Sequence, residues 1–215
     1  MVKLHSQILN ESQKKIFPKL AFLKNNNFYL AGGTALALHL GHRTSLDFDF
    51  YSQKHFDSAL LYEKIENIFS GDAVLSLREK DTMFCKIADV DNSFFWYKYP
   101  LLEKPIEFER ILLASPQDIA AMKLIAIYQR PAKRDYIDIY FLLKNFTLEE
   151  MFSFVREKYP NFNLYLSLRA LVYFEDLKDE EGREIKILDN SFSWEKAKEK
   201  IFEEVKKYQL NLIKK

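Results

Sequence analysis

Cysteine is nearly absent from this chain of 215 residues, and glycine and proline are scarce, with one Cys, five Gly and six Pro. Because Cys85 stands alone, an internal disulfide is excluded, and we expect a reducing compartment, the cytoplasm. The apolar run from residue 164 to 174 is too short to span a bilayer and is interrupted by Arg169. The first residues lack the apolar core of a secretory signal, so we expect a soluble protein without membrane contact.

An excess of either charge is also missing. Lys and Arg together number 32 and Asp and Glu 31, which leaves a formal net charge of +1. This balance excludes a uniformly basic surface for nucleic acid, although it allows a local basic patch. Hydrophobic residues make up 48% of the chain and charged residues 29%, which is typical of a globular protein.

The front of the chain alternates between strand and helix patterns, and the rear is helical. Strands are predicted at residues 28–31, 46–51, 74–77, 83–90, 93–99 and 106–112, and helices at 11–24, 34–40 and 57–69. After Ser115 the predicted helices are 116–130, 134–145, 148–158, 162–176 and 193–208. We therefore predict an α+β domain over residues 1–113, followed by a helical domain over residues 114–215.

A glycine pair joins the first predicted strand to a helix. Gly32 and Gly33 lack side chains, so their backbone amides can approach a phosphate closely. The helix that follows adds the partial positive charge of its N-terminus. Thr34 could either cap that helix or donate its hydroxyl to a phosphate oxygen. This arrangement predicts a phosphate-binding turn.

Two aspartates follow on the next predicted strand. Asp47 and Asp49 are two residues apart, so both point to one face, while Phe48 and Phe50 point to the core. Paired carboxylates repel each other unless a cation lies between them, and Mg²⁺ prefers oxygen ligands. A glycine pair alone is usually only a turn, and a lone Asp-x-Asp is more often a solvated strand edge. The two together form a much narrower pattern.

This order of strand, glycine pair, helix and Asp-x-Asp strand resembles the polymerase-β-like nucleotidyltransferase superfamily. The stretch from Gly32 to Phe50 is similar in detail to the AbiEii/AbiGii toxin family. The resemblance implies a mixed sheet with flanking helices, an NTP substrate, and Mg²⁺ or Mn²⁺ as the metal ion. It also implies that the protein is the toxin of a toxin–antitoxin pair. Arg43 and Ser45 belong to the resemblance and would shape the phosphate site, although Arg43 could equally pair with Asp47.

A lysine lies within the otherwise apolar sequence of the first predicted helix of the rear half. Lys123 is surrounded by apolar residues, so it needs a carboxylate, a phosphate or a path to solvent, and we predict phosphate binding. Arg130 lies seven residues on and shares its helix face. Asp118 follows Ser115 in a capping-box arrangement and is expected to be structural.

The next helix begins with Arg134, Asp135 and Asp138. The two aspartates share a helix face, and an ion pair between Arg134 and Asp138 explains the spacing equally well. This block also resembles the AbiEii/AbiGii family. The resemblance implies that Lys123 contacts nucleotide phosphates and that Asp138 is functional, with Arg134 and Asp135 close by.

The sequence leaves the roles of several residues undecided. A third metal carboxylate, present in many members of the superfamily, has three equal candidates, Asp89, Asp91 and Glu107. His39 is expected to be a packing residue rather than a metal ligand. The aromatic run over residues 94–99 is expected to be strand core, with base stacking as the alternative.

The expected reaction is transfer of a nucleoside monophosphate from an NTP to an acceptor hydroxyl, in a cleft between the two domains. Asp47 and Asp49 would hold the metal, the turn from Gly32 to Thr34 would hold the β- and γ-phosphates, and Lys123 would face them. The general base would be Asp138 or a metal-bound water. The resemblance favours RNA, above all tRNA, as acceptor, with a basic rim of Lys133, Arg134, Lys144 and Arg156. The alternatives are a silent nucleotide-binding protein or one that sequesters a partner.

Overall fold

The structure, a computed structural model, describes residues 3–175, 177 and 185–214. The chain forms two compact units, Met1–Ser115 and Pro116–Lys215, which divide two residues beyond the predicted position. Among the described residues, no helix is both long and apolar enough to cross a membrane.

The first unit is built on a seven-stranded mixed sheet in the order β3-β4-β5-β2-β1-β7-β6. The central strand β2 pairs antiparallel with β1 and parallel with β5. Its strands are β1 (Phe28–Ala31), β2 (Asp47–Ser52), β3 (Ala73–Glu79), β4 (Thr82–Ile87), β5 (Val90–Trp96), β6 (Ile106–Phe108) and β7 (Ile111–Leu113). Its helices are α1 (Glu11–Ile16), a 3-10 segment (Phe17–Asn26), α2 (Gly32–Leu40) and α3 (Ser58–Phe69).

One face of the sheet carries the core of this unit. On β2 the burial alternates as the sequence predicts, with Phe48 and Phe50 fully buried and the aspartates half-buried. The Phe50 ring stacks on Phe94 of β5 with centroids 5.4 Å apart. The predicted mixed sheet with flanking helices is confirmed, and the two aspartates lie on the face opposite this aromatic core.

Two predicted strands are each broken by a tight turn. The prediction over 83–90 contains a turn at Ala88 and Asp89, and that over 106–112 contains one at Glu109 and Arg110. All four residues have positive φ, between 46° and 67°, although none is glycine. Because the apolar pattern runs on across both turns without a glycine or proline, the sequence carried no signal for them.

The predicted helix over residues 11–24 is α-helical only as far as Ile16. Pro18 follows and has no amide hydrogen to donate, and from Phe17 to Asn26 the chain continues as 3-10 helix. The segment ends at Asn27, whose φ of 64° is left-handed.

In the described residues of the second unit the regular structure is helical, apart from turns and two isolated bridge residues, Ala132 and Ile187. Helix α6 matches its predicted range, and Thr147 and Glu150 form a capping box at its start. The region predicted as helix over 162–176 is helical only from Leu164 to Ala170, and residue 176 lies outside the described residues. The helices are α4 (Pro116–Gln129), α5 (Lys133–Leu142), α6 (Leu148–Lys158), α7 (Leu164–Ala170) and α8 (Trp194–Ile213).

Candidate active site

The glycine turn lies directly beside the second aspartate. Ala31, the last residue of β1, is the register partner of Asp49, and α2 begins at Gly32. Gly32 has a φ of +69°, which glycine adopts without strain. A Cβ atom on Gly32 would lie 2.7 Å from Oδ2 of Asp49. Glycine is therefore required here twice, for its backbone angle and for the space that the carboxylate occupies.

Gly33 provides room for a buried guanidinium. A Cβ atom on Gly33 would lie 2.6 Å from Nη2 of Arg43 and 3.3 Å from Oγ of Ser45. Arg43 is only 1% exposed, and its Nη1 donates a hydrogen bond of 2.9 Å to the Thr44 carbonyl. The structure thus brings both residues against the turn, and their role in shaping a phosphate site stays a prediction.

Thr34 connects the helix to the aspartate strand rather than capping the helix. Ala31 is the N-cap of α2, and the helix has no hydrogen bond from an N-cap side chain. The Thr34 hydroxyl donates instead to the backbone carbonyl of Asp47. The predicted capping role is therefore wrong, because Thr34 is the third residue of the helix and faces β2.

The aspartate pair lies on one face of the central strand. Asp47 and Asp49 are half-buried on one face of β2, and Oδ1 of Asp47 lies 3.5 Å from Oγ of Ser45. Within the part of the chain that the structure describes, no group of three or more His, Cys, Asp and Glu side chains could hold a metal. Two carboxylates fit Mg²⁺ when substrate phosphates and water supply its other ligands.

Of the three candidates for a further carboxylate, only Asp91 neighbours the pair. It is the register partner of Asp47 on the adjacent strand β5 and is exposed, 3.8 Å from the Lys86 ammonium. Asp89 lies in the turn before β5, with a φ of 67°. Glu107 lies on the edge strand β6, where its carboxylate is 2.6 Å from the Lys24 ammonium.

In the second unit, Lys123 lies between two carboxylates. Its ammonium is 2.6 Å from Oδ1 of Asp135 and 2.7 Å from Oδ2 of Asp138, and all three side chains are buried. The sequence left a carboxylate, a phosphate or a path to solvent as the surroundings of this lysine. The structure shows contacts with carboxylates. A contact with phosphate stays a prediction. Asp138 forms an ion pair with Lys123 of the preceding helix, whereas the alternative explanation of the spacing paired it with Arg134.

The remaining predicted residues of this unit are less buried. Arg130 is exposed and follows the last residue of α4, so the helix ends one residue before its predicted position. Arg134 is half-buried in the first turn of α5. The structure therefore brings together Lys123, Asp135 and Asp138, and it leaves Arg130 at the surface.

Comparison with known proteins decides the family. Residues 20–209 match the family model described as "Nucleotidyl transferase AbiEii toxin, Type IV TA system". The chain belongs to this AbiEii family. It is therefore a nucleotidyltransferase, as the sequence predicts, and its family is one of toxins from toxin–antitoxin systems.

Individual relatives agree with the family in length and fold. An uncharacterised protein of Aquifex aeolicus (strain VF5), aq_aa25, is 37% identical over 210 residues, which are 94% of this chain and 98% of that protein. A crystal structure from H. pylori, of a protein assigned as a nucleotidyltransferase, is 19% identical and covers 98% of both chains with a TM-score of 0.58. MenT4, the nucleotidyltransferase toxin Rv2826c from Mycobacterium tuberculosis H37Rv, is 15% identical with a TM-score of 0.50, covering 91% of this chain and 82% of its own.

One buried ion pair in this AbiEii-family protein was not predicted from the sequence. The Lys158 ammonium lies 2.7 Å from Oδ1 of Asp118, and both side chains are 0% exposed. Burial lowers the pKa of Lys158, and the hydrogen bond and charge of Asp118 oppose that shift. A signal was present, because Lys158 follows Met151 and Val155 at helical spacing on the apolar face of α6. Asp118 is therefore fully buried and paired with this lysine, in agreement with the structural role expected for it.

His39 is a packing residue, as the sequence analysis expected. It is buried in α2, and its Nε2 lies 2.9 Å from the carbonyl oxygen of Ala114, just beyond β7. Burial lowers the pKa of His39, while the hydrogen bond to Ala114 acts in the opposite direction. The neutral imidazole therefore links the helix that starts at the glycine turn to the sheet.

Proposed function

We propose that this AbiEii-family enzyme transfers a nucleoside monophosphate from an NTP to a hydroxyl of RNA, with tRNA as the favoured acceptor. The reaction would use Mg²⁺ or Mn²⁺ and take place in the cytoplasm, where both substrates occur. As in other toxin–antitoxin pairs, a cognate antitoxin protein would restrain it. The observation that supports the proposal is the close approach of the glycine turn to the Asp49 carboxylate. The turn would bind phosphate, and Asp49 with Asp47 would bind the metal ion beside it.

In the proposed reaction, the acceptor oxygen forms a bond to the α-phosphorus, and the bond from that phosphorus to the β-bridging oxygen breaks. Pyrophosphate leaves, and the hydroxyl proton passes to a water molecule, because Asp138, the other candidate base, is fully buried beside Lys123. The backbone amides of Gly32 and Gly33 and the start of α2 would bind the β- and γ-phosphates.

Asp47 and Asp49 would hold the metal ion, which when bound offsets negative charge on the phosphates. Arg43 packs against the turn, because its guanidinium fills the space beside Gly33. Thr34 fixes the start of β2 through its bond to the Asp47 carbonyl. These contacts would preorganise the site before the substrates bind.

Lys123 remains the proposed phosphate ligand of the second unit. Its ammonium already contacts Asp135 and Asp138, so it would have to share its hydrogen atoms with a phosphate. The two carboxylates would then hold the ammonium in position.

The basic residues proposed to contact RNA differ in their availability. Arg156 is exposed on α6. The Lys144 ammonium, in contrast, lies 2.8 Å from Oδ2 of Asp189 and 4.5 Å from the centre of the Phe141 ring. Lys133 lies over the Trp194 ring at 5.7 Å, and Arg134 is half-buried. We therefore assign the strongest phosphate contact of this set to Arg156.

The test is incubation of the protein with each labelled NTP, total RNA and Mg²⁺ or Mn²⁺. We expect label in RNA with the wild type and none with Asp47→Asn or Asp49→Asn, whose melting temperatures should change little because both side chains are half-buried. Asp72→Asn, an exposed aspartate of the same unit, is the matched control and should stay active. EDTA should abolish labelling.

Two results would contradict separate parts of this proposal. Label that appears only on protein after RNase treatment would exclude RNA as the acceptor. Full activity of Asp47→Asn or Asp49→Asn at limiting Mg²⁺ would exclude the metal assignment.

A further inference from the structure

The sheet face that carries Asp47 and Asp49 continues into a group of aromatic rings. Tyr51 lies two residues beyond Asp49 on β2, so its side chain is on the same face. Phe95 of β5 is the register partner of Tyr51, and Phe84 of β4 is the partner of Ser93 on that face. We name Tyr51, Phe84 and Phe95 the aromatic platform.

The rings of the platform touch one another across three strands. The Tyr51 and Phe95 rings are stacked, with centroids 5.3 Å apart and planes at 29°. Phe84 meets Phe95 edge-on at 5.5 Å. Because regular sheet pairing fixes the strands beneath them, the rings are held in place before any ligand arrives.

The platform is exposed to a degree that core rings in this sheet are not. Phe50 and Phe94, the neighbours on the opposite face, are 0% exposed, whereas all three platform rings are half-buried. The apolar patch extends onto β3, where Leu77 is the partner of Phe84 and is itself exposed. Three half-buried rings beside an exposed leucine leave apolar surface in contact with solvent, and such a surface is typical of a binding site.

The chemistry of the platform favours nucleobases. Every base has a π face that can stack on an aromatic ring, and such stacking tolerates any base sequence. Lys86 lies exposed on the same face of β4, with its ammonium 3.8 Å from Asp91, and this solvent-facing cation would also meet a phosphate next to the platform. From Asp49 to Tyr51 the strand advances by about 6.6 Å, so a base on the platform would bring its sugar near the carboxylates.

The position of the platform distinguishes the acceptor from the NTP. The glycine turn, to which we assign the NTP phosphates, follows β1 on one side of β2. The platform extends to the other side of β2, over β5 and β4. We propose that it stacks the terminal bases of a single-stranded acceptor RNA and so directs the acceptor hydroxyl to Asp47 and Asp49. This inference rests on the proposed function, because it takes the acceptor to be RNA.

The experiment compares aromatic residues on the two faces of the sheet, Phe84 of β4 and Phe95 of β5 on the platform face and Trp96 of β5 on the other face. Phe95→Leu and Phe84→Leu remove a platform ring and keep an apolar side chain. Trp96→Leu is the matched control, since Trp96 is exposed on the other face, where it stacks on His55 at 4.2 Å. Binding of a fluorescent single-stranded RNA to the full chain is measured by anisotropy, with melting temperatures as the check on folding.

We expect Phe95→Leu and Phe84→Leu to weaken RNA binding about tenfold, in line with the loss of one stacked base. Trp96→Leu should stay within twofold of the wild type. In the transfer assay, the KM for RNA should rise by a similar factor in the platform variants, while the KM for NTP stays unchanged.

Different outcomes separate this inference from the proposed function. Suppose that RNA is labelled, and that folded Phe95→Leu and Phe84→Leu bind RNA as tightly as Trp96→Leu does. The platform inference is then wrong, and the proposed function stands. If RNA binding depends on Phe95 although no label enters RNA, the platform stands and the RNA-transfer proposal fails. A rise only in the KM for NTP would assign the platform to the nucleotide base and overturn the inference. So would a wild type that binds a copurified antitoxin there and no RNA.

Discussion

In the first unit, Asp47 and Asp49 are half-buried on a sheet face, whereas Asp118, Asp135 and Asp138 of the second unit are fully buried between helices. Each of the buried carboxylates has a lysine ammonium within 2.7 Å. A half-buried carboxylate pair can accept a cation from solvent, but a fully buried one needs its counter-charge built into the protein. Aspartates that look alike in sequence thus differ in whether their removal affects chemistry or stability.

The largest effects are expected when Lys123→Met and Lys158→Met are compared in stability and in activity. Both changes keep the apolar stem and leave buried carboxylates without their cation, so each should lower the free energy of unfolding by about 3–5 kcal/mol. At Lys123 the loss arises from two ion pairs, with Asp135 and Asp138, although Met matches the shape of the lysine stem. Urea unfolding measures the loss.

Only Lys123→Met should also slow transfer by a factor of ten or more, the effect of losing a charge-stabilising group. Activity is measured at a temperature where both variants are folded. Equal activity of the two variants would show that Lys123 is purely structural. Joint replacement of Asp118 and Lys158 by Leu and Met should recover most of the stability, because no charge is then left buried.

The second prediction concerns the contact between the glycine turn and Asp49. Gly32→Ala should strain the backbone by about 1–2 kcal/mol and displace the carboxylate, which lies 2.7 Å from the new methyl group. A shift of about 1 Å in a catalytic group can slow a reaction about a hundredfold. Gly71→Ala is the control, since Gly71 has a φ of +91° with no atom within 4 Å of the added carbon.

Gly71→Ala should therefore lose similar stability and keep its transfer rate. Rates and melting temperatures of the two variants, measured side by side, separate backbone strain from displacement of Asp49. If Gly32→Ala were as active as Gly71→Ala, the turn would not control the carboxylate.

A smaller effect is expected at the third carboxylate, where Asp91 is the neighbour of Asp47 on β5. Adjacent strands are about 4.8 Å apart, so the Asp91 charge would act on the metal ion that we propose Asp47 holds. We expect Asp91→Asn to slow transfer about tenfold, or about 1.4 kcal/mol. Asp89→Asn and Glu107→Gln should change the rate less than twofold, and a larger effect from either would contradict the register argument.

The smallest expected effect is a pH dependence of stability from His39, the buried imidazole of the first unit. Its pKa is lowered in the folded protein, so below the ordinary value of about 6.5 the unfolded chain binds a proton that the folded chain does not. Stability from this group is therefore present above pH 6.5 and falls as the pH decreases, by at most about 1.4 kcal/mol per pH unit.

His39→Gln keeps a donor for the Ala114 carbonyl and removes the titration. Urea unfolding at pH 7.5 and 5.5 should therefore show a smaller difference for this variant than for the wild type. An equal difference in the two proteins would mean that His39 does not titrate in this range.

The local pattern was sufficient for much of the first unit. The alternation on β2 predicted which face of the strand carries the aspartates, because side chains alternate along any strand. The glycine pair predicted the turn between β1 and α2, since few other residues accept that backbone. The turns at Ala88–Asp89 and Glu109–Arg110 were missed because residues with side chains adopt left-handed angles there, held by strand pairing on both sides.

The amino-acid sequence by itself determined the strand–turn–helix order and the placement of Asp47 and Asp49, because both follow from periodicity over a few residues. Only the tertiary structure decided that Lys123 lies between Asp135 and Asp138, and that Lys158 reaches Asp118 across 40 positions. It alone also brought Tyr51, Phe84 and Phe95 together, since they come from three strands. Such contacts depend on how helices and strands pack, and no spacing along the chain encodes a distance between separate elements.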